Sequence, residues 1–166
     1  MDRTSFRDMN CSVAQALEVL GDWWTLLIVR DAFFGARRFA DFEASLGIAK
    51  NTLSDRLKHL VDKGVMEKID AGQTGPRFEY RLTEKGRDLH IVLTALRQWS
   101  DKWVYGPGNE PLLVKDKRTG DPVSELRVTD SDGNPLSLRD MFSVAGPGAN
   151  EETLRMFAPA AKKHRR

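Results

Sequence analysis

The sequence predicts an α+β fold, mainly α, and three observations carry that prediction. Apolar residues recur at helical spacing in five segments before residue 106. Gly21, Gly35, Gly47 and Gly64 separate the first four of these segments, each at a point where a helix can stop. Two short alternating runs, Val65–Ile69 and Phe78–Leu82, flank the turn-rich DAGQTGPR. Helix, glycine, helix, glycine and hairpin follow in the order of a winged helix-turn-helix. A long C-terminal dimerisation helix and a small β-hairpin appendage complete the expected architecture.

Each element has its own justification. Residues 1–10 read as a polar arm. Ser12 can cap a first helix whose apolar positions are Val13, Ala16, Leu17 and Leu20. Apolar residues nearly encircle the second, Asp22–Phe34, so it is expected to be the buried central helix. The third spans Arg38–Leu46, with Phe39, Phe42, Ala44 and Leu46 facing the core. The fourth spans Ala49–Lys63 and carries one narrow stripe, Leu53, Leu57, Leu60 and Val61. In the hairpin, Tyr80 and Leu82 are expected opposite Met66 or Val65. Thr83 caps a helix expected to run without a break from Glu84 to Tyr105, with Leu89, Val92, Leu93, Leu96, Trp99 and Trp103 at spacings of three and four. GPGNEP then marks a loop. The TGDP and SDGNP turns beyond Leu112 predict two short hairpins. Glu151–Phe157 predicts one more helical turn, and the terminal KKHRR a disordered basic tail. The expected divisions are therefore 1–106, 107–158 and 159–166.

Composition narrows the function classes. The 166 residues are 40% hydrophobic and 30% charged, an ordinary composition for a folded chain that needs no disulfide staple. Lys and Arg number 26 against 24 Asp and Glu, so charge distribution, not net charge, must argue for any polyanionic partner. The lone cysteine, Cys11, excludes an intrachain disulfide and a cysteine-built zinc site. The polar N-terminus lacks a secretory apolar stretch, and no apolar run approaches the ~18 residues of a membrane helix. A cytoplasmic location without a membrane partner is expected. His59, His90 and His164 are scattered, and no catalytic motif can be assembled, so an enzyme is not expected.

The polar face of the fourth helix points to double-stranded DNA. Opposite its leucines lie Lys50, Asn51, Thr52, Ser54, Asp55, Arg56, Lys58 and His59, side chains that read base edges and hold phosphates. Arg56 suits guanine and Asn51 adenine. Arg77, with Gln73 and Thr74 at the hairpin tip, would serve the minor groove or a phosphate. Arg37 and Arg38 would pin the backbone at the start of the third helix. A merely solvated helix face has the same composition, and the flanking helix and hairpin are what favour the DNA reading. A winged-helix interaction module that uses the β appendage instead of DNA is the alternative.

The residues that carry these features also carry a resemblance. CSVAQALEVLGDWWTLLIVRDAFFGARRFADFEASLGIAKNTLSDRLKHLVDKGVMEK, followed by RFEYRLTEKGRDL, closely resembles the HxlR-type branch of MarR-like bacterial transcription regulators, over about Cys11 to Trp103. The resemblance implies a homodimer, with repression as its expected role, on a pseudo-palindromic operator. It implies a recognition helix on Ala49–Lys63 and a wing on Ile69–Phe78. It also implies a dimer interface on the first and last long helices, where Val13, Leu17, Leu89, Val92, Leu96, Trp99 and Trp103 would meet the partner. Some members of that branch sense oxidants or electrophiles through a cysteine at the position of Cys11, so an oxidant or small-molecule effector is a further expected partner. Here Ser12 stands where proline often follows that cysteine, and an inert half-buried thiol is the competing reading. In a sub-branch the C-terminal extension resembles a small zinc ribbon, whose ligand positions fall here on Asp116, Thr119, Thr129 and Asp132, beside Gly120 and Gly133. None is Cys or His, so the ribbon fold is expected without metal or any other cofactor.

Overall fold

Apolar stripes and caps translate into elements largely where the sequence puts them. A computed structural model of the chain describes residues 5–72 and 77–163, with side-chain surroundings for 5–72 and 77–158. The helices are α1 (Ser12–Leu20), α2 (Trp23–Phe33), α3 (Phe39–Leu46) and α4 (Lys50–Asp62). Strands β1 (Met66–Asp70) and β2 (Phe78–Leu82) follow, then α5 (Glu84–Arg87), α6 (Leu89–Ser100) and α7 (Glu151–Lys163). Among the described residues, no single helix is long and apolar enough to cross a membrane.

The chain divides into two units, one spanning residues 16–113 and the other combining the described N-terminal arm, to Gln15, with Val114 onward. In the larger unit the core is Ile28 and Val29 of α2, Phe42 of α3, Ile48, Leu53, Leu57 and Leu60 of α4, and Val65 and Met66. Asp22 stands just before α2 and caps it, its Oδ1 accepting the Trp24 amide at 2.9 Å. α2 is buried on one side only: Thr25, Ile28, Val29 and Asp31 face inward, whereas Trp23 is 77% and Phe34 65% exposed. Its encircling apolar sequence therefore overstated its burial.

Gly47 ends α3 in the left-handed conformation (φ 60°), the sharp turn that lets α4 start almost at once. β1 and β2 pair antiparallel, with Leu82 opposite Met66, as expected, and Tyr80 opposite Lys68. The Tyr80 amide also donates to the Arg37 carbonyl at 2.7 Å, tying the hairpin to the entrance of α3. Thr83 caps α5: its hydroxyl accepts from the Gly86 amide (3.2 Å) and donates to the Gly64 carbonyl (2.7 Å). A Cβ on Gly86 would lie 2.1 Å from the Val65 carbonyl oxygen, so this close crossing of helix over strand requires glycine.

One expectation for the C-terminal half needs correction. The unbroken helix over Glu84–Tyr105 is interrupted at Asp88 and finishes as a wider π-helical turn over Asp101–Tyr105. Asp101 is buried there and receives Arg97 at 2.6 Å, which draws the last turn around that ion pair. Beyond it, two short hairpins form at the TGDP and SDGNP turns, each with one antiparallel bridge, Lys115 with Pro122 and Thr129 with Pro135. Asp116 and Asp130 close these turns, Asp116 by accepting from the Arg118 amide and guanidinium and Asp130 from the Asp132 and Asn134 amides. Thr119 Oγ1 accepts the Asp121 amide, so both it and Asp116 are engaged in the turn.

The divisions shift as well. The arm joins the C-terminal unit through Asn10, whose side chain donates to the Gly148 carbonyl and accepts from the Asn150 amide and the Thr153 hydroxyl. α7 runs to Lys163, through most of the segment expected as a disordered tail. Its acidic first turn, Glu151 and Glu152, suits the positive end of a helix.

Asp41 yields a pH prediction. Its Oδ2 accepts the amides of Arg38 (2.8 Å) and Arg37 (3.1 Å), and these bonds, Arg38 first, hold its carboxyl below the ordinary 3.8. A carboxyl depressed in the folded state stabilises above its unfolded pKa, and that contribution is lost as pH falls through the folded value. Asp41→Ala should therefore lower the urea midpoint at about pH 7, and the gap from wild type should narrow towards about pH 3. A gap of constant size across that range contradicts the assignment.

Candidate nucleic-acid interface

Three leucines set the orientation of α4. Leu53, Leu57 and Leu60 are fully buried, and α4 packs on α2, α3 and β1. The opposite row then faces out: Lys50, Asn51, Ser54, Asp55 and Lys58 are exposed, and Thr52 is half-buried near the helix start. Ala49 occupies the N-cap and no side chain caps α4, so its first-turn amides are free to meet an anion.

The cations on this face are held loosely. Lys58 pairs with Asp62 one turn along, which raises its pKa, and Lys50 lies 3.7 Å from Glu43. Exposed pairs of this kind contribute little, so a phosphate can displace either carboxylate. Arg37 and Arg38 are exposed and form no side-chain ion pair among the described residues. Because Arg37 carries the carbonyl that binds Tyr80, both arginines stand where the hairpin meets α3.

Arg77 sits at the end of the wing, exposed, with its amide on Asp70 Oδ1 (2.9 Å) and its carbonyl accepting from Ala71 (2.8 Å). Asp70 also accepts the Gly72 amide, and these bonds keep its carboxyl below the usual carboxylate range. Asp70 is thus the clasp of the hairpin. Gln73 and Thr74, expected at the tip, lie outside the described residues. Sequence reasoning missed Lys68, whose ammonium lies 4.1 Å from the Phe78 ring centroid across the strands. Only the strand register brings that pair together.

Arg56 departs from the expectation. It does not join the outward row: its guanidinium Nη2 lies 2.9 Å from Asp22 Oδ2, and the two side chains are only 30% and 22% exposed. Of the residues expected at a dimer interface, Val13, Leu17, Val92, Leu96, Trp99 and Trp103 are exposed. Leu89 instead packs against the core.

Cys11 is exposed, not half-buried. It lines a cleft of about 800 Å³ together with Arg7, Gln15, Gly148, Asn150 and Thr153, all within the arm and C-terminal unit.

Comparison with known proteins agrees with this geometry. The family model described as HxlR-like helix-turn-helix matches residues 19–106. The HTH-type transcriptional regulator Rv3095 of Mycobacterium tuberculosis is 39% identical over 137 residues, 82% of this chain and 87% of that protein. The crystal structure of PA1607, a candidate transcription factor, superposes with a TM-score of 0.80 at 43% identity, covering 86% of this chain and all of that one. The redox regulator HypR in its reduced form is 27% identical over 55% of this chain and 91% of its own, with a TM-score of 0.51. The match to the family model spans more than half the chain, and the mycobacterial relative aligns over most of both lengths: the chain belongs to the HxlR-like helix-turn-helix family of transcriptional regulators.

Proposed function

We propose that the protein is a sequence-specific, homodimeric regulator that places α4 of each subunit in a major groove of a pseudo-palindromic operator, and that it acts as a repressor. One observation carries this reading: α4 buries its leucine stripe completely and turns Lys50, Asn51, Ser54 and Lys58 outward, with an uncapped N-terminus. Asn51 can present a bidentate amide to adenine, Ser54 and Thr52 short hydroxyls to either strand, and Lys50 and Lys58 charge to the backbone. Arg37, Arg38 and Arg77 extend the phosphate contacts to both sides. The exposed row Val92, Leu96, Trp99 and Trp103 offers apolar side chains suited to a two-fold partner, and Val13 and Leu17 are exposed on α1. A bound dimer occupying promoter DNA makes repression the simplest outcome.

Asn51→Ala removes one base contact. It should weaken operator binding by about 1–3 kcal/mol and relax base preference at one position per half-site, with the melting temperature unchanged. In a gel-shift titration, wild-type affinity and wild-type preference would count against this reading. No affinity of the native protein for any duplex at low salt would instead favour an interaction module, for which the exposed apolar residues between Leu112 and Met156 provide the surface.

An oxidant effector is proposed on narrower grounds: the thiol of Cys11 is accessible, and HypR is a redox regulator. Oxidant treatment should release wild-type protein from its operator and leave Cys11→Ser bound. Equal release of both removes the thiol from the response.

A further inference from the structure

We propose that Asp22 and Arg56 form a positioning pair for α4: the pair fixes how the recognition helix is presented and withholds Arg56 from DNA, leaving base reading to Asn51 and Ser54. The inference rests on the reading of α4 as the DNA-contacting helix.

The Asp22 carboxylate performs two tasks. Its Oδ1 accepts the Trp24 amide at 2.9 Å and caps α2, while its Oδ2 receives the Arg56 guanidinium at 2.9 Å. Three residues further along α4, His59 Nε2 lies 3.0 Å from the Val19 carbonyl. A carbonyl can only accept, so Nε2 carries the proton there. Residues three apart lie on the same side of a helix. Arg56 and His59 therefore grip the same corner, the bend between α1 and α2, from one flank of α4. The outward row is a different flank, and the leucine stripe a third.

Arg56 is poorly placed to leave. Its Nε is buried without a hydrogen-bond partner, so its stem is already enclosed by protein. Swinging out to DNA would also strip Asp22 of its counter-charge beside an α2 terminus. A guanidinium held at both its stem and its head acts on DNA only through the helix it positions. The grip ties α4 to the end of α1 and the start of α2, so the angle of α4 is set from that bend.

The test measures operator affinity against salt, and against every single-base variant of the half-site, for wild type, Arg56→Met, Asp22→Asn and the double variant. Met keeps the aliphatic stem, and Asn keeps a cap acceptor. A positioning pair predicts that each single variant weakens operator binding by roughly tenfold and that the double variant is no weaker than either, as for side chains acting as one unit. The salt slope of Arg56→Met should equal that of wild type, and discrimination should fall across the whole half-site. A slope flattened by about 0.9, the signature of one lost phosphate contact, would overturn the proposal. So would lost preference confined to one base pair, or wild-type binding by Asp22→Asn beside weak binding by Arg56→Met. If wild type binds no duplex, the DNA reading of α4 fails. The pair is then judged by melting temperature, where non-additive losses support it and additive losses refute it. Should Arg56→Met fail to fold, Arg56→Lys replaces it, with the same criteria for coupling to Asp22→Asn and for base preference.

Discussion

The burial of Leu53, Leu57 and Leu60 against α2 and α3 is the constraint on which the rest depends. A helix with one fully buried stripe has only one rotation about its axis, and that rotation decides which side chains meet solvent. Rotation by a third of a turn would expose leucine and bury Lys50 or Lys58 without a partner, a cost of several kcal/mol. The outward polar row is therefore a consequence of core packing, and its chemistry is available without any rearrangement of the domain. The wing is fixed by the same core, because Val65 and Met66 are buried in it and β2 is anchored through Leu82 and the Tyr80–Arg37 bond.

Charge is distributed in the manner of a surface that exchanges partners. Lys50 and Lys58 have acidic neighbours at the surface that a phosphate can replace, whereas Arg56 and Arg97 have partners in places sheltered from water. The weak positive balance of the whole chain thus conceals two populations of cation. Those paired at the surface, together with Arg37, Arg38 and Arg77, belong to the proposed DNA face. Those paired under cover hold helices together.

How much of this was legible in the sequence depends on the range of the interaction. Local signals read well: Ser12, Asp22 and Thr83 begin helices, Gly47 makes the turn before α4, and the leucine stripe identifies the inward face. Long-range pairing did not. Nothing in the spacing of Arg56 shows that Asp22, the residue ahead of α2, stands within reach of it. The same holds for Lys68 above Phe78, which needs the strand register, and for Asn10 binding Gly148 and Asn150. The clasp at Asp70 belongs here too, because its bonds to the Gly72 and Arg77 amides form only when the hairpin closes. The break at Asp88 was hidden for a related reason: apolar spacing continues through it, and the buried Arg97–Asp101 pair that reshapes the end of the helix looks like any surface pair at i and i+4.

The central claim, a dimer reading DNA through two copies of α4, is tested most directly by selecting bound duplexes from a random pool with the native protein at low salt. The account predicts enrichment of inverted half-sites whose centres lie about one helical turn, roughly 34 Å, apart. Enrichment of a single unpaired site would contradict the two-fold arrangement, and a pool that stays random after repeated rounds would contradict sequence-specific binding altogether.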